Sequence, residues 1–336
     1  MKSKGGSISE LRRDLVSGDW VVIATGRAKR PDDFAKLEKP IFLQPRDKCP
    51  FEEFFPLALA VYGEDHKPEK DWLVQVIPNK FPAFGKGICA VMFKEGIYEW
   101  GEGVGFHEIV ITRDHTKSLA AMSDQGVGQV IRAYQDRYLA LHNSGCVEYI
   151  SIFYNHGREA GASISHPHSQ LIAIPVIPPD VARSLRGSAE YFKKEKKCVH
   201  CAILKYEIKE KSRIVYENDD AVVLTPFASK TAFEMRIFPK KHQPQFELIS
   251  EEERWSIGNA LRVCLAKLYR GLKNPDFNFF LHTAPTRNLK KYGHYHWHFE
   301  VIPKTAIWAG FEIGTGIEIS TIAPENAAEF LRKVKI

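Results

Sequence analysis

Ser165-His166-Pro167-His168-Ser169-Gln170 sets two imidazoles around a proline, directly before the apolar run Leu171-Ile172-Ala173-Ile174 and Pro175. An imidazole that is neutral near pH 7 serves as a nucleophile, a general base or a metal ligand. The apolar run reads as a short buried strand closed by proline. We expect the two rings to point to opposite faces of this strand. His166 would then brace a structural site behind it and His168 would face a cleft, with Pro167 limiting the travel of both. Upstream, Phe153-Tyr154-Asn155-His156-Gly157-Arg158-Glu159-Ala160-Gly161-Ala162-Ser163 reads as a strand entering a loop of small residues. Such a loop lets backbone N–H groups close on a phosphate.

Two further groups have chemistry to offer. Gly26-Arg27-Ala28-Lys29-Arg30-Pro31 gathers cations beside a glycine and a proline, and paired arginines suit planar recognition of phosphate. Cys198 and Cys201 form C-x-x-C, while Cys49, Cys89, Cys146 and Cys264 stand apart. No apolar run approaches the ~20 residues of a membrane span. Met1-Lys2-Ser3-Lys4-Gly5-Gly6 lacks the apolar stretch of a signal peptide. We therefore expect a cytoplasmic protein whose cysteines are poor disulfide candidates and fair metal candidates.

The elements that position these groups follow from periodicity. Phe106 to Thr112 alternates as a strand and ends at Arg113-Asp114-His115. Ser123 caps a predicted helix to about Asn143, with Val127, Val130, Ile131, Tyr134, Tyr138 and Leu141 on its apolar stripe. The second half repeats this order. Phe233 to His242 parallels Phe106 to His115, Ser250 and Glu253 form a capping box before a helix to about Leu272, and His294 to Pro303 echoes His166 to Pro175. Cys198-x-x-Cys201 likewise echoes Cys49-x-x-Glu52. We read two copies of one α+β unit, each bringing an antiparallel sheet, with residues 1–178 forming the first and 179–336 the second.

The composition is that of an ordinary globular chain, with 44% hydrophobic and 26% charged residues and a net charge of +6 spread along 336 residues. The basic run Lys193 to Lys197 reads as a solvated surface, and no basic patch studded with aromatics supports nucleic-acid binding.

Taken together, N-x-G-x-x-A-G-A-S-x-x-H-P-H-S-Q resembles the active-site segment of the galactose-1-phosphate uridylyltransferase family, a branch of the histidine-triad superfamily. The resemblance runs from about residue 12 to about residue 320. It implies an α+β fold of two histidine-triad-like repeats, their antiparallel sheets joined in a half-barrel with helices packed outside. It implies a nucleotidyltransferase that exchanges UMP between UDP-glucose and galactose 1-phosphate through a covalent uridylyl-histidine at His168. The ring's other nitrogen would donate to a backbone carbonyl within H-P-H. Ser163, Gln170 and amides near Gly161 would stabilise the phosphoryl oxygens, with Asn155 a further candidate. Arg27 and Arg30 correspond to the loop that reaches the nucleotide, Asn79 and Phe81 to the base and ribose segment, and Phe311 and Glu312 to the segment holding the hexose.

The resemblance also implies structural zinc. Cys198, Cys201, His242 and a histidine of the second cluster would form one site. Gapless overlay on the first half selects His294, whereas the H-W-H string selects His296, which we take. Cys49, His115 and His166 match the other site, where Glu52 stands in place of the family's second cysteine. A carboxylate ligates zinc, so this site either survives with Glu52 or has lost its metal. Small-molecule partners, a homodimer and no contact with nucleic acid or membrane complete the expectation. The rival readings are a relative using ADP-glucose, and a zinc-bearing binding protein without catalysis.

Overall fold

The structure is a computed structural model and describes residues 8–24, 34, 42–63, 71–85, 87 and 89–336. Arg27 and Arg30 lie outside these residues.

Short β-branched and aromatic runs between turns build fifteen strands among the described residues. The first half holds β1 (Glu10–Arg13), β2 (Trp20–Ile23), β3 (Ala60–Gly63), β4 (Trp72–Pro78), β5 (Met92–Glu95), β6 (Tyr98–Gly101), β7 (Phe106–Thr112), β8 (Tyr149–His156) and β9 (His168–Ile174). The second holds β10 (Ile214–Glu217), β11 (Ala221–Leu224), β12 (Met235–Pro239), β13 (Phe277–His282), β14 (His298–Pro303) and β15 (Glu318–Ser320). Ten of them form one sheet in the order β10-β11-β12-β14-β13-β8-β9-β7-β4-β3, every neighbouring pair antiparallel.

That order reads the same from either end. β3, β4, β7, β9 and β8 of the first half correspond to β10, β11, β12, β14 and β13 of the second, joined where β8 pairs with β13. The internal repeat is therefore a repeat of topology. The edge strands β3 and β10 do not meet, so the sheet stays open and is no closed barrel. A smaller sheet pairs β2 with β1 and, in parallel, with β15, tying the two ends of the described chain together.

Among the described residues the longer helices are α1 (Asp124–His142), α2 (Pro179–Glu195), α3 (Val199–Glu210), α4 (Glu251–Gly271), α5 (Gly310–Thr315) and α6 (Pro324–Lys333). Ser123 caps α1 by accepting from the Gly126 N–H, and the Ser250–Glu253 capping box opens α4. The run Lys193 to Lys197 falls on the exposed C-terminal turn of α2 and just beyond it, where cations complement the helix dipole.

Strand alternation gives the sheet two unlike faces. Leu171 and Ala173 of β9, Ile152 and Tyr154 of β8, and their counterparts Phe299, Val301, Phe279 and Leu281 join α1 and α4 in one buried core. The other residues of the same strands, His168, Gln170, Asn155, Asn278 and His298 among them, look the opposite way.

One expectation is corrected here. Cys89 and Cys146 pair as a disulfide, their Cα atoms 5.0 Å apart. Residues 57 apart in sequence meet because the segment before β5 passes over the turn between α1 and β8, beside Ser144 and Val147. A reading from compartment and spacing carries no information about such a meeting.

Candidate active site

His168 opens β9 and is buried. Its Nδ1 lies 2.8 Å from the His166 carbonyl oxygen. A carbonyl only accepts, so Nδ1 carries the proton and Nε2 keeps the lone pair. Burial pushes the ring's pKa below the usual imidazole range, against a smaller opposing effect of that carbonyl bond. The result favours a neutral ring whose lone pair is on Nε2.

The two histidines do not diverge to opposite faces. The Phe51 ring lies against both, 5.1 Å from His168 and 6.0 Å from His166 between centroids. Residues i and i+2 of an extended chain share a side, and Pro167 does not reverse that. The division of labour comes instead from His166 preceding the strand and reaching sideways towards Cys49.

Gln170 sits two residues along the same face, and its Oε1 is 2.9 Å from His107 Nε2. His107, on β7, also accepts from the Ala83 N–H at Nδ1, 3.2 Å. Asn79 reaches the same imidazole through Nδ2, and its Oδ1 accepts from the Phe81 N–H, 2.9 Å. Phe81 is 80% exposed, an aromatic ring left open at a loop.

Across β8, Asn278 donates through Nδ2 to Asn155 Oδ1 and to the Ala160 carbonyl, both 2.8 Å. This fixes Asn155 with its amide N–H groups free to point outward. The loop after β8 turns at Gly157 and Gly161, both in the left-handed region with φ +83° and +87°. A Cβ at Gly157 would stand 2.2 Å from the Asp276 carboxyl carbon, so the close approach admits only glycine there. Gln44 ties down the far end of the loop through its contacts with Ser163 and Ser165. Ser163 itself is exposed. Phe311 and Glu312 lie on α5, none of whose residues is buried, and Glu312 accepts from the Ala309 N–H as a helix cap. No hydrogen bond or ring contact among the described residues joins them to His168.

Two four-residue clusters can hold a metal, one in each half: Cys49, Glu52, His115 and His166, and Cys198, Cys201, His242 and His296. In each, the ligand atoms lie within 4.8 Å of one another. All four imidazoles are oriented alike. His115 Nε2 donates to the Gln44 carbonyl (2.7 Å), His166 to Thr112 (2.6 Å), His242 to Gly293 (2.9 Å) and His296 to Pro239 (3.0 Å). With Nε2 protonated, every Nδ1 turns a lone pair to the cluster centre, the arrangement a bound metal requires of its histidines. Buried Glu52 Oε2 and His115 Nδ1 have no hydrogen-bond partner although they stand 2.8 Å apart, as expected of two donors aimed at one cation. The donor sets, two cysteines and two histidines in one cluster and a cysteine, a carboxylate and two histidines in the other, are of the kind that suits a four-ligand structural zinc. His294 stacks on Phe192 outside the second cluster.

Sequence reasoning missed His107 and Asn278. Each is a single polar residue on an alternating strand, and only its parity with Gln170 or Asn155 marks it.

A family model described as Domain of unknown function (DUF4921) matches residues 73–334. An ADP-glucose phosphorylase of Arabidopsis thaliana is 34% identical over 97% of this chain and 93% of its own length. A galactose-1-phosphate uridylyltransferase of Thermotoga maritima is 30% identical over 97% of this chain and 99% of its own. Among solved structures, an Arabidopsis thaliana ADP-glucose phosphorylase with bound ADP-glucose superposes with a TM-score of 0.81 at 31% identity, covering 98% of this chain and all of that one.

Proposed function

The chain belongs to the galactose-1-phosphate uridylyltransferase family within the histidine-triad superfamily, and from this we propose that it transfers a nucleotidyl group through His168. Nε2 attacks the α-phosphorus of a nucleoside diphosphate hexose, forming an N–P bond as the P–O bond to hexose 1-phosphate breaks. A second anion, phosphate or a hexose 1-phosphate, then attacks phosphorus and His168 departs, giving ping-pong kinetics. Gln170 and the Asn155 N–H groups donate to the phosphoryl oxygens, with Ser163 at the loop's edge. The Gly161 and Ala162 amides, expected to help, are instead engaged by the Arg158 and Gly157 carbonyls, both at 3.0 Å. Phe81 and Asn79 would meet the nucleoside; contact of Arg27 and Arg30 with its phosphates is carried by the sequence resemblance alone. The observation that carries the reading is the His168 Nδ1–His166 carbonyl bond on a buried ring, which sets the tautomer that attack needs.

ADP-glucose is our first choice of donor, because the phosphorylase is the more similar of the two relatives by sequence. UDP-glucose with galactose 1-phosphate as acceptor is the second, supported by the 30% identical uridylyltransferase. Zinc at the two clusters would stabilise the chain around His166 and His296 and takes no part in the chemistry. Exposed Ile307, Trp308, Phe311 and Ile313 suit burial against a second copy of the chain, which would bring Phe311 and Glu312 to a partner's hexose.

Intact-protein mass after brief mixing with ADP-glucose, and separately with UDP-glucose, tests this. We expect an AMP adduct that is lost in His168→Gly. A UMP adduct alone would move the donor to UDP-glucose. No adduct and no release of hexose 1-phosphate with either would overturn the reading.

A further inference from the structure

We infer that His107 is a positioning residue for nucleotidyl transfer, holding the Gln170 amide with its N–H groups towards the phosphoryl oxygens; the inference rests on the function proposed above. A glutamine side chain offers an oxygen at one end and an NH₂ at the other, and only the NH₂ stabilises developing negative charge. Something must choose which end faces the cleft.

The choice is fixed by a chain of hydrogen bonds that begins at the backbone. The Ala83 N–H donates to His107 Nδ1, 3.2 Å, so this nitrogen is unprotonated. The ring's proton therefore sits on Nε2, which donates to Gln170 Oε1 at 2.9 Å. With Oε1 engaged, the Gln170 NH₂ is turned away from His107. The Asn79 amide nitrogen lies 3.0 Å from Nε2 and 3.5 Å from Nδ1, close to both, which sets it across the ring face and off either lone-pair axis. It steadies the imidazole without competing for the in-plane positions.

Strand register makes the arrangement possible. Ile109 of β7 pairs with Gln170 of β9, and His107 pairs with Ile172, so His107 is the diagonal neighbour of Gln170 on the same face. The same imidazole thereby joins the 79–83 segment, our nucleoside loop, to a donor for the reacting phosphate. Order in the nucleoside loop and the orientation of Gln170 are set together.

The test measures the single-turnover rate of nucleotidyl-enzyme formation, with nucleotide-sugar Kd measured separately. His107→Gln keeps an N–H donor for Gln170 Oε1, and His107→Glu replaces it with a carboxylate that only accepts, one atom's difference at nearly constant shape. We expect His107→Gln to react at close to the wild-type rate. His107→Glu and His107→Leu should react ~100-fold more slowly, the scale of losing one oxyanion donor. In a Gln170→Leu background, His107→Leu should slow the step no further, because the two act as a unit. Equal rates for the Gln and Glu variants, or losses that multiply in the double variant, overturn the inference while an adduct on His168 leaves the function standing. Failure of the wild-type protein to form any adduct overturns both.

Discussion

His166 and His296 are held in the same way in the two halves of the molecule. Each donates Nε2–H to a backbone carbonyl, of Thr112 and of Pro239, and each turns Nδ1 to a cysteine, 3.4 Å from Cys49 Sγ and 3.5 Å from Cys201 Sγ. Two residues on, His168 and His298 repeat the match, both donating Nδ1–H to the carbonyl of the preceding histidine. The halves part at the next position. The first half has Gln170 and the second has Glu300, whose Oε1 lies 3.3 Å from His298 Nε2 and 3.1 Å from Arg236 Nε. A carboxylate beside the ring nitrogen repels a phosphoryl group where an amide can donate to it, which favours His168 over His298 in the function proposed above.

The matched clusters give the first prediction, on metal content. We expect two equivalents of zinc per chain by plasma mass spectrometry. Cys201→Ser should remove the second equivalent and Glu52→Ala the first, each leaving the other in place. Because metal binding is linked to folding, chelation should lower Tm by roughly 10 °C or more. A wild-type chain carrying one equivalent, retained in Glu52→Ala, would mean that the glutamate-bearing cluster takes no metal.

The second prediction concerns the strand carrying His168. Ser169 faces the core between His168 and Gln170, and its hydroxyl is hydrogen-bonded to that of fully buried Tyr134 on α1. Tyr134→Phe leaves the Ser169 hydroxyl without this partner in an apolar core, a cost of about 1–3 kcal/mol. Denaturant unfolding should show this loss, and Tyr134→Phe with Ser169→Ala should recover much of it. A double variant no more stable than Tyr134→Phe alone would assign the loss to packing.

The third prediction is a pH dependence of stability. Glu247 is buried, both its carboxylate oxygens lack hydrogen-bond partners, and desolvation raises its pKa from 4.5 to about 7. Its neighbour His142, with Nδ1 3.4 Å from Oε1, is pushed down by the same desolvation, so near neutrality neither favours its charged form. A carboxyl whose folded pKa is raised contributes stability that is fully present below 4.5 and lost as pH rises through about 7. The full shift corresponds to ~3 kcal/mol. Glu247→Gln has no proton to lose, so its stability relative to wild type should rise between pH 4.5 and pH 8 and then level off. A constant gap in urea unfolding across that range would contradict the protonated, buried Glu247.

Local spacing made much of the molecule legible. H-P-H before an apolar run, C-x-x-C and the Ser250–Glu253 capping box are signals within a few residues, and each recurs in the structure where its spacing put it. The repeat was legible because its elements recur in one order. His107, Asn278 and the Cys89–Cys146 pair were not, since each acts on a residue more than 50 positions away and is identified only by strand register or loop path. The opposed faces expected of His166 and His168 failed for a simpler reason, that residues two apart on an extended chain share a side.

The last prediction tests how the halves are held together. α1 and α4 cross at Gly128 and Gly258, where a Cβ on Gly258 would stand 3.1 Å from the Gly128 Cα, so the two backbones nearly touch. A Cβ on Gly128 would overlap the Trp255 ring, with Cζ3 2.0 Å away. Alanine at either site gains helix propensity of about 1 kcal/mol. At Gly128 the clash must move an indole, and overpacking of this kind costs about 1–3 kcal/mol. We therefore expect Gly128→Ala to be net destabilising. At Gly258 the contact is with backbone, which yields only by separating the helices, so Gly258→Ala should also destabilise. Trp255→Ala should relieve Gly128→Ala and leave Gly258→Ala unrelieved, because only the first clash involves the indole. Thermal unfolding of the two single and two double variants decides it, and relief of both by Trp255→Ala would show that the indole, and not the backbone contact, sets the spacing of the two helices.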